Sequence, residues 1–318
     1  MSELKDIVYP CQFDGTRQSA YCLPATGTAP RPLLVALHTW SCTYTAFNQN
    51  YEKFCRLFNW HLIHPDFRGE NWRPQGCGSE AAVSDIVDAV TYMQQHYAVD
   101  AKRIYLAGGS GGGHATLLLA GRHPELWAAA SAWCPISDVL AWHRQCLGTR
   151  FFRYAEHIVQ ACGGDPQESA AARQQAIARS PLTYLANANT LPLDISAGIH
   201  DGHSGSVPVS QSIAAYNCLA APEDRIAEAD CQYITEQEMI PAHLQAAGLS
   251  PDPSYGQSEV LFRRQSRNVR LTIFAGGHEL LHWPLFSWLS RQERGRAADW
   301  RCGEAYQSGD VQSGGLSN

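Results

Sequence analysis

No stretch of this 318-residue chain approaches the ~18 consecutive apolar residues of a membrane-spanning helix, and Met1-Ser2-Glu3-Leu4-Lys5-Asp6 leads into no signal-peptide core. A membrane partner is therefore not expected, and the chain as given reads as cytoplasmic. Runs of lysine and arginine are also missing: 24 basic side chains against 30 acidic ones leave a net charge of −6. Nucleic-acid binding draws much of its affinity from basic groups on phosphate, so a nucleic-acid partner is not expected either. The eleven cysteines form no C-x-x-C, and their number is odd. A chain this long needs no disulfide scaffold, so buried thiols are expected, Cys134 among them, with a Cys146 to Cys162 pairing left open. No internal repeat is visible.

What is present suits one enzyme-sized unit, with 45% hydrophobic and 17% charged residues. Apolar runs of strand length at 33–37, 61–64, 103–107, 128–133, 193–197 and 269–274 alternate with helical patterns at 46–58, 81–97, 113–122 and 209–219. That alternation predicts an α/β fold, a mostly parallel sheet covered on both faces, preceded by a hairpin of 6–10 and 19–23. Two long polar stretches, at about 140–190 and 220–268, read as insertions that cap the site. The expected domain is 1–293, and the Gly-, Ser- and Gln-rich tail 294–318 is expected to be partly disordered.

Gly108-Gly109-Ser110-Gly111-Gly112 carries the chemistry. This G-x-S-x-G ends the apolar run 103–107 and precedes a helical segment, the setting of a nucleophile elbow, where small residues let a strand turn sharply and expose a serine hydroxyl. A phosphate loop would end in Gly-Lys-Ser or Gly-Lys-Thr, but this one continues Gly112-Gly113-His114. In such sheets the reactive groups collect at the carboxyl ends of the strands. After 193–197 comes Gly198-Ile199-His200-Asp201, and after 269–274 comes Gly276-Gly277-His278-Glu279. Serine needs a histidine to take its proton and a carboxylate to hold that histidine's tautomer, so Ser110, His278 and Asp201 are the expected triad. Gly111 and either Thr39 or Trp40, in His38-Thr39-Trp40-Ser41, are expected to supply the oxyanion-hole N–H groups. This chemistry needs no cofactor and no metal.

Competing assignments exist. Asp138 could be the acid, or could cap the helix that follows it. His200 and His203 could be a metal pair or a polar loop. His278-Glu279-Leu280-Leu281-His282 matches the H-E-x-x-H of zinc peptidases, with Glu293 or Glu304 as a further ligand, but Pro284 argues against a helix through it. For the substrate, Trp72, Trp133 and Trp142 could stack on sugar rings, Arg68 and Arg73 could pair with a carboxylate, and His203 lies beside the acid. The bland reading makes these residues packing and loop ties.

The chain resembles the α/β-hydrolase superfamily and, within it, the catalytic domain of the prolyl oligopeptidase-type family, over about 31–289. The resemblance rests on Pro65-Asp66-Phe67-Arg68-Gly69, the elbow, Gly198 to Asp201 with Val207-Pro208 beyond, and Gly276-Gly277-His278. It implies an α/β-hydrolase fold with cap insertions and a serine hydrolase working through an acyl-enzyme. Three features depart from the family's peptidases. The residues before 33 cannot form the propeller that usually precedes such a domain, the loop between Asp201 and Val207 is long, and Gly111 stands where a larger residue is common. They turn the expectation toward a carboxylic ester hydrolase, with an acetyl or methyl ester on a small molecule or oligosaccharide as substrate. The alternatives are a peptidase of the same family and a binding protein on an inactive hydrolase fold.

Overall fold

A computed structural model describes residues 2–245, 251–307 and 314–315. Its centre is a nine-stranded sheet. The strands are β1 (Lys5–Pro10), β2 (Arg17–Leu23), β3 (Arg31–Leu37), β4 (His61–Pro65), β5 (Val99–Gly109), β6 (Ala129–Trp133), β7 (Leu193–Gly198), β8 (Val260–Ser266) and β9 (Val269–Phe274). Their spatial order is β1-β2-β4-β3-β5-β6-β7-β9-β8. Strands from β4 to β9 in that order pair in parallel, while β1, β2 and β8 add antiparallel edges. The central strands β4, β6, β7 and β9 are buried along their whole length, as their near-continuous apolar sequences require.

Alternation along β3 splits the core in two. Leu33, Val35 and Leu37 face α2 (Glu80–His96), α3 (Gly111–Arg122) and α7 (Val209–Leu219), whereas Leu34 and Ala36 face α1 (Gln49–Phe58) and α9 (His282–Leu289). Helix starts carry their own signals: Asn48 and Ser79 accept a hydrogen bond from the first turn of α1 and α2. The stretch 140–190 forms most of α4 (Val139–Cys146) together with α5 (Phe152–Cys162) and α6 (Ala170–Ala178), packed in a third cluster around Trp40, Trp142 and Ile158.

The stretch 220–268 differs from the capping insertion expected of it. It holds α8 (Glu228–Gln237), but its end is strand β8 at the sheet edge, concealed in the sequence by Arg263 and Arg264; the fold accommodates the first through a 2.8 Å ion pair with Asp252. Part of the C-terminal tail is ordered against the body: Trp300 stacks on Trp288, the Gly303 N–H donates to Asp252, and β11 (Gly314–Gly315) pairs with β10 (Glu279–Leu280). The rest of that tail, 308–313 and 316–318, lies outside the described residues. Cys146 and Cys162 are both free thiols, so the pairing left open between them is not made. Among the described residues no helix is long and apolar enough to cross a membrane.

Candidate active site

Ser110 joins β5 to α3 at φ 56 and ψ −120, a conformation that L residues avoid and that costs roughly 1–3 kcal/mol. Neighbouring backbone holds it there: the Ser110 N–H donates to the Trp133 carbonyl (2.8 Å), and the Ser110 carbonyl accepts from His114 N–H (2.8 Å). The sharp turn the sequence predicts is therefore present, and it aims Ser110 at the carboxyl edge of the sheet.

Gly111 explains one of the family departures. A Cβ there would lie 2.3 Å from the Trp40 backbone nitrogen and 2.5 Å from its Cα, so only glycine admits this approach. The contact sets the backbone of Trp40 against Gly111. Among the described residues neither of the Gly111 and Trp40 N–H groups has a hydrogen-bond acceptor. The Trp40 carbonyl is held from behind by Asn71, whose N–H donates to it (2.9 Å) and whose Oδ1 accepts from Cys77 N–H (2.9 Å). Asn71 is fully buried, and no sequence signal singles it out.

Asp201 follows β7 and His278 follows β9, two adjacent strands. His278 Nδ1 lies 2.8 Å from Asp201 Oδ2, and both side chains are almost wholly buried. Asp201 Oδ1 accepts from the N–H of Gly202 (3.0 Å) and of Val207 (3.3 Å). The long loop from Asp201 to Val207 thus returns to the carboxylate, folding tightly at Gly205, where a Cβ would strike His278 Cβ at 2.2 Å and Asp201 Oδ1 at 2.4 Å. His278 Nε2 is buried and makes no hydrogen bond among the described residues, so its lone position is the one left for proton transfer.

Cys134, which follows β6 with φ 44, lies behind the pair. Its Sγ donates to Glu279 O (3.5 Å), and together with Asp201 and His278 it forms a group whose ligand-type atoms lie within 4.8 Å of one another. Burial, and then the Asp201 charge, push the Cys134 thiol far above its ordinary range, so beside the ionised Asp201 it is held as a neutral thiol. The zinc-peptidase alternative fails on geometry. His278, Glu279 and His282 do not share a helix, because Glu279 and Leu280 form β10 and α9 begins only at His282. His282 points into the core against Tyr51, and the Glu279 carboxylate accepts from Gly277 N–H. Of the proposed further ligands, Glu293 pairs with Arg296, while the Glu304 carbonyl accepts from the Trp283 indole.

Other assignments resolve as follows. Asp138 caps α4 through Ala141 N–H and is not the acid. His200 and His203 turn toward α8, where His200 Nδ1 meets Glu238 at 2.6 Å and His203 Nε2 donates to Thr235 O at 2.7 Å, so neither joins the site. Arg68 is not free for a substrate: it is engaged by Asp85 (2.8 and 3.0 Å) and Asp14 (2.7 and 3.1 Å), tying the loop after β4 to α2. Trp133 lies in the core against Phe274, bonded to Ser131, and Trp142 is buried edge-on against Trp40, bonded to Ser206 O. Neither can stack on a sugar. Trp72 is half-buried against His157 of α5, and Arg73 is exposed beside Glu70.

The comparisons with known proteins bear on the whole arrangement. No curated protein matches the sequence. Among solved structures, an acylaminoacyl peptidase of Pyrococcus horikoshii is similar over 94% of this chain and 43% of its own, at 14% identity and a TM-score of 0.64. A puromycin-hydrolyzing peptidase of Mycobacterium tuberculosis is similar over 70% of this chain and 34% of its own, at 21% identity and a TM-score of 0.56. Prolyl oligopeptidase B of Galerina marginata gives 67% and 31%, at 16% identity and a TM-score of 0.53. This chain therefore spans less than half the length of each, and at these identities the likeness establishes the α/β-hydrolase fold. The model of the prolyl oligopeptidase family matches residues 65–235, more than half the chain, a span that includes Ser110 and Asp201 but ends before His278. The elbow, the strand order and that match together make this chain a member of the prolyl oligopeptidase family of serine hydrolases.

Proposed function

We propose that the chain cleaves acyl bonds of short peptides or acylated amino acids through an acyl-enzyme formed on Ser110. The Ser110 oxygen attacks the carbonyl carbon while His278 Nε2 takes the hydroxyl proton, and Asp201 keeps the other imidazole nitrogen protonated and stabilises the imidazolium. The N–H groups of Gly111 and Trp40 receive the oxyanion. His278 then gives its proton to the leaving nitrogen as the carbon–nitrogen bond breaks. A water attacks the ester carbon and loses a proton to His278, which passes that proton to the Ser110 oxygen as the ester bond breaks and the acid leaves.

The observation that carries this reading is the buried 2.8 Å pair of His278 Nδ1 and Asp201, with Nε2 left unpartnered, at the sheet edge that also presents the strained Ser110. Amide substrates are favoured over the expected carbohydrate esters for two reasons. Membership of a peptidase family points that way, as do the structural neighbours, an acylaminoacyl peptidase and a puromycin-hydrolyzing peptidase among them. The aromatic platform that motivated a sugar is also reduced to half-buried Trp72, since Trp133 and Trp142 are core residues.

The test is a panel of aminoacyl amides, short peptides and matched acyl esters with purified protein, alongside a fluorophosphonate probe. Labelling that vanishes in Ser110→Ala, with peptide or amide turnover, supports the proposal. Ester turnover without amide turnover returns the esterase reading, and absence of labelling returns an inactive binding fold. Activity lost to EDTA and restored by zinc would revive a metal mechanism.

A further inference from the structure

Beside Gly109, between the end of β3 and the starts of α1 and α9, lies a cavity of about 70 Å³. Its lining includes Thr39, Asn48, Tyr51, His64, Gly109 and His282, so it adjoins both the nucleophile turn and the loop that bears Trp40. Partly exposed Thr39 and Asn48 stand at its mouth. The volume admits a group of a few heavy atoms.

The polar atoms here have an unusual balance. His64 and His282 are 1% and 2% exposed, and burial holds both imidazoles at pKa values of about 3, so both are neutral. His64 Nδ1 lies 2.7 Å from the Ala36 carbonyl and must carry the proton, which leaves Nε2 able only to accept. That Nε2 is buried without a partner, as are both ring nitrogens of His282. Natural interiors rarely leave three such atoms unanswered. His38 adds nothing, because its two nitrogens already face the Thr39 and Asp66 carbonyls. Among the described residues no carboxylate, lysine or arginine lines the cavity, so these offer no counter-ion to a charged group.

We infer that this cavity is a specificity pocket for a small uncharged group that donates a hydrogen bond, a hydroxyl or carboxamide, carried by the substrate residue flanking the scissile bond. The inference rests on Ser110 being the nucleophile, since that places the scissile carbonyl next to Gly109. His64 Nε2 sets the chemistry: a hydroxyl can donate to it, whereas a methyl group of the same size leaves it unpaired. Sites built to hydrogen-bond a substrate hydroxyl discriminate strongly against its apolar isostere.

The experiment compares kcat/KM for peptides bearing Ser, Thr or Asn with those bearing Ala, Val, Asp or Lys, varied separately on each side of the cleaved bond. Acyl esters carrying the same groups are run in parallel. At one of the two positions Ser should exceed Ala, and Thr exceed Val, by about tenfold or more. That ratio should fall toward one in His64→Leu and in His282→Phe. Two variants are used because either could misfold, which thermal unfolding reports. Equal rates for Ser and Ala and for Thr and Val at both positions would overturn the inference, as would ratios unchanged in every folded variant. Failure of the underlying reading looks different: fluorophosphonate labelling would then be absent or independent of Ser110. Labelling without turnover of either substrate series counts against the pocket.

Discussion

Alanine in place of Gly111 isolates the oxyanion hole from the rest of the mechanism. Gly111 does not have positive φ, so alanine suits its backbone and the perturbation is the methyl group alone. That methyl would stand 2.3 Å from the Trp40 nitrogen, where ordinary van der Waals contact begins at 3.4 Å. Relief requires the Trp40 loop to move back by about 1 Å, an overpacking that costs about 1–3 kcal/mol of stability. If the Trp40 N–H is the second oxyanion donor proposed above, the same shift carries it out of reach of the oxyanion, and losing one such donor slows acyl transfer by about 10²–10³-fold. The rate of fluorophosphonate labelling reads this without knowledge of the substrate, because the probe's oxygen occupies the same hole. Thermal unfolding of the variant establishes that it is folded. A labelling rate within about threefold of wild type, in folded protein, would refute the pairing of Gly111 with Trp40 as the hole.

Three further outcomes are expected. Asp201→Asn should keep the fold but cut kcat by about 10⁴, since an amide favours the wrong His278 tautomer; a loss below about tenfold would move the acid role elsewhere. Arg68→Ala should lower stability in urea by about 3–5 kcal/mol through the stranded Asp85, while leaving the preference between neutral and acidic substrates unchanged. A lost preference for acidic substrates would restore Arg68 to the binding site. Acid should destabilise the protein well before its carboxylates titrate. Burial depresses His64 and His282 from 6.5 to about 3 and His114 to about 4, so the unfolded chain takes up protons first. Stability is then complete above pH 6.5 and falls toward pH 4 by about 1.4 kcal/mol per pH unit for each histidine, and unfolding curves that do not change between pH 7.5 and pH 5 would contradict this.

Much of the fold and part of the site are legible locally. The strands at 193–198 and 269–274 are apolar runs between turn residues, and the elbow announces itself because a strand that must reverse within one residue tolerates only small neighbours. Strand β8 is not legible, since Arg263 and Arg264 break its alternation, and only the fold supplies their partners, Asp252 for Arg263 and the Asp224 carbonyl for Arg264. Arg68 reads equally as a substrate anchor or a tie, and only the position of Asp85, seventeen residues on and wholly buried, decides for the tie. Trp133 follows the same pattern: its strand-end position suggests a binding wall, and its side of the sheet makes it core.

By itself the sequence determined the order of the central strands and the helices between them and the reactive residue types at three strand ends, because hydrophobic period and turn chemistry are properties of neighbours along the chain. Tertiary structure alone decided that Asp201 rather than Asp138 meets His278, that Trp40 rather than Thr39 faces Gly111, and that His282 joins a buried cavity and not a metal. Each of those outcomes depends on distances between residues far apart in the chain, and such distances are set by packing of the sheet and its helices.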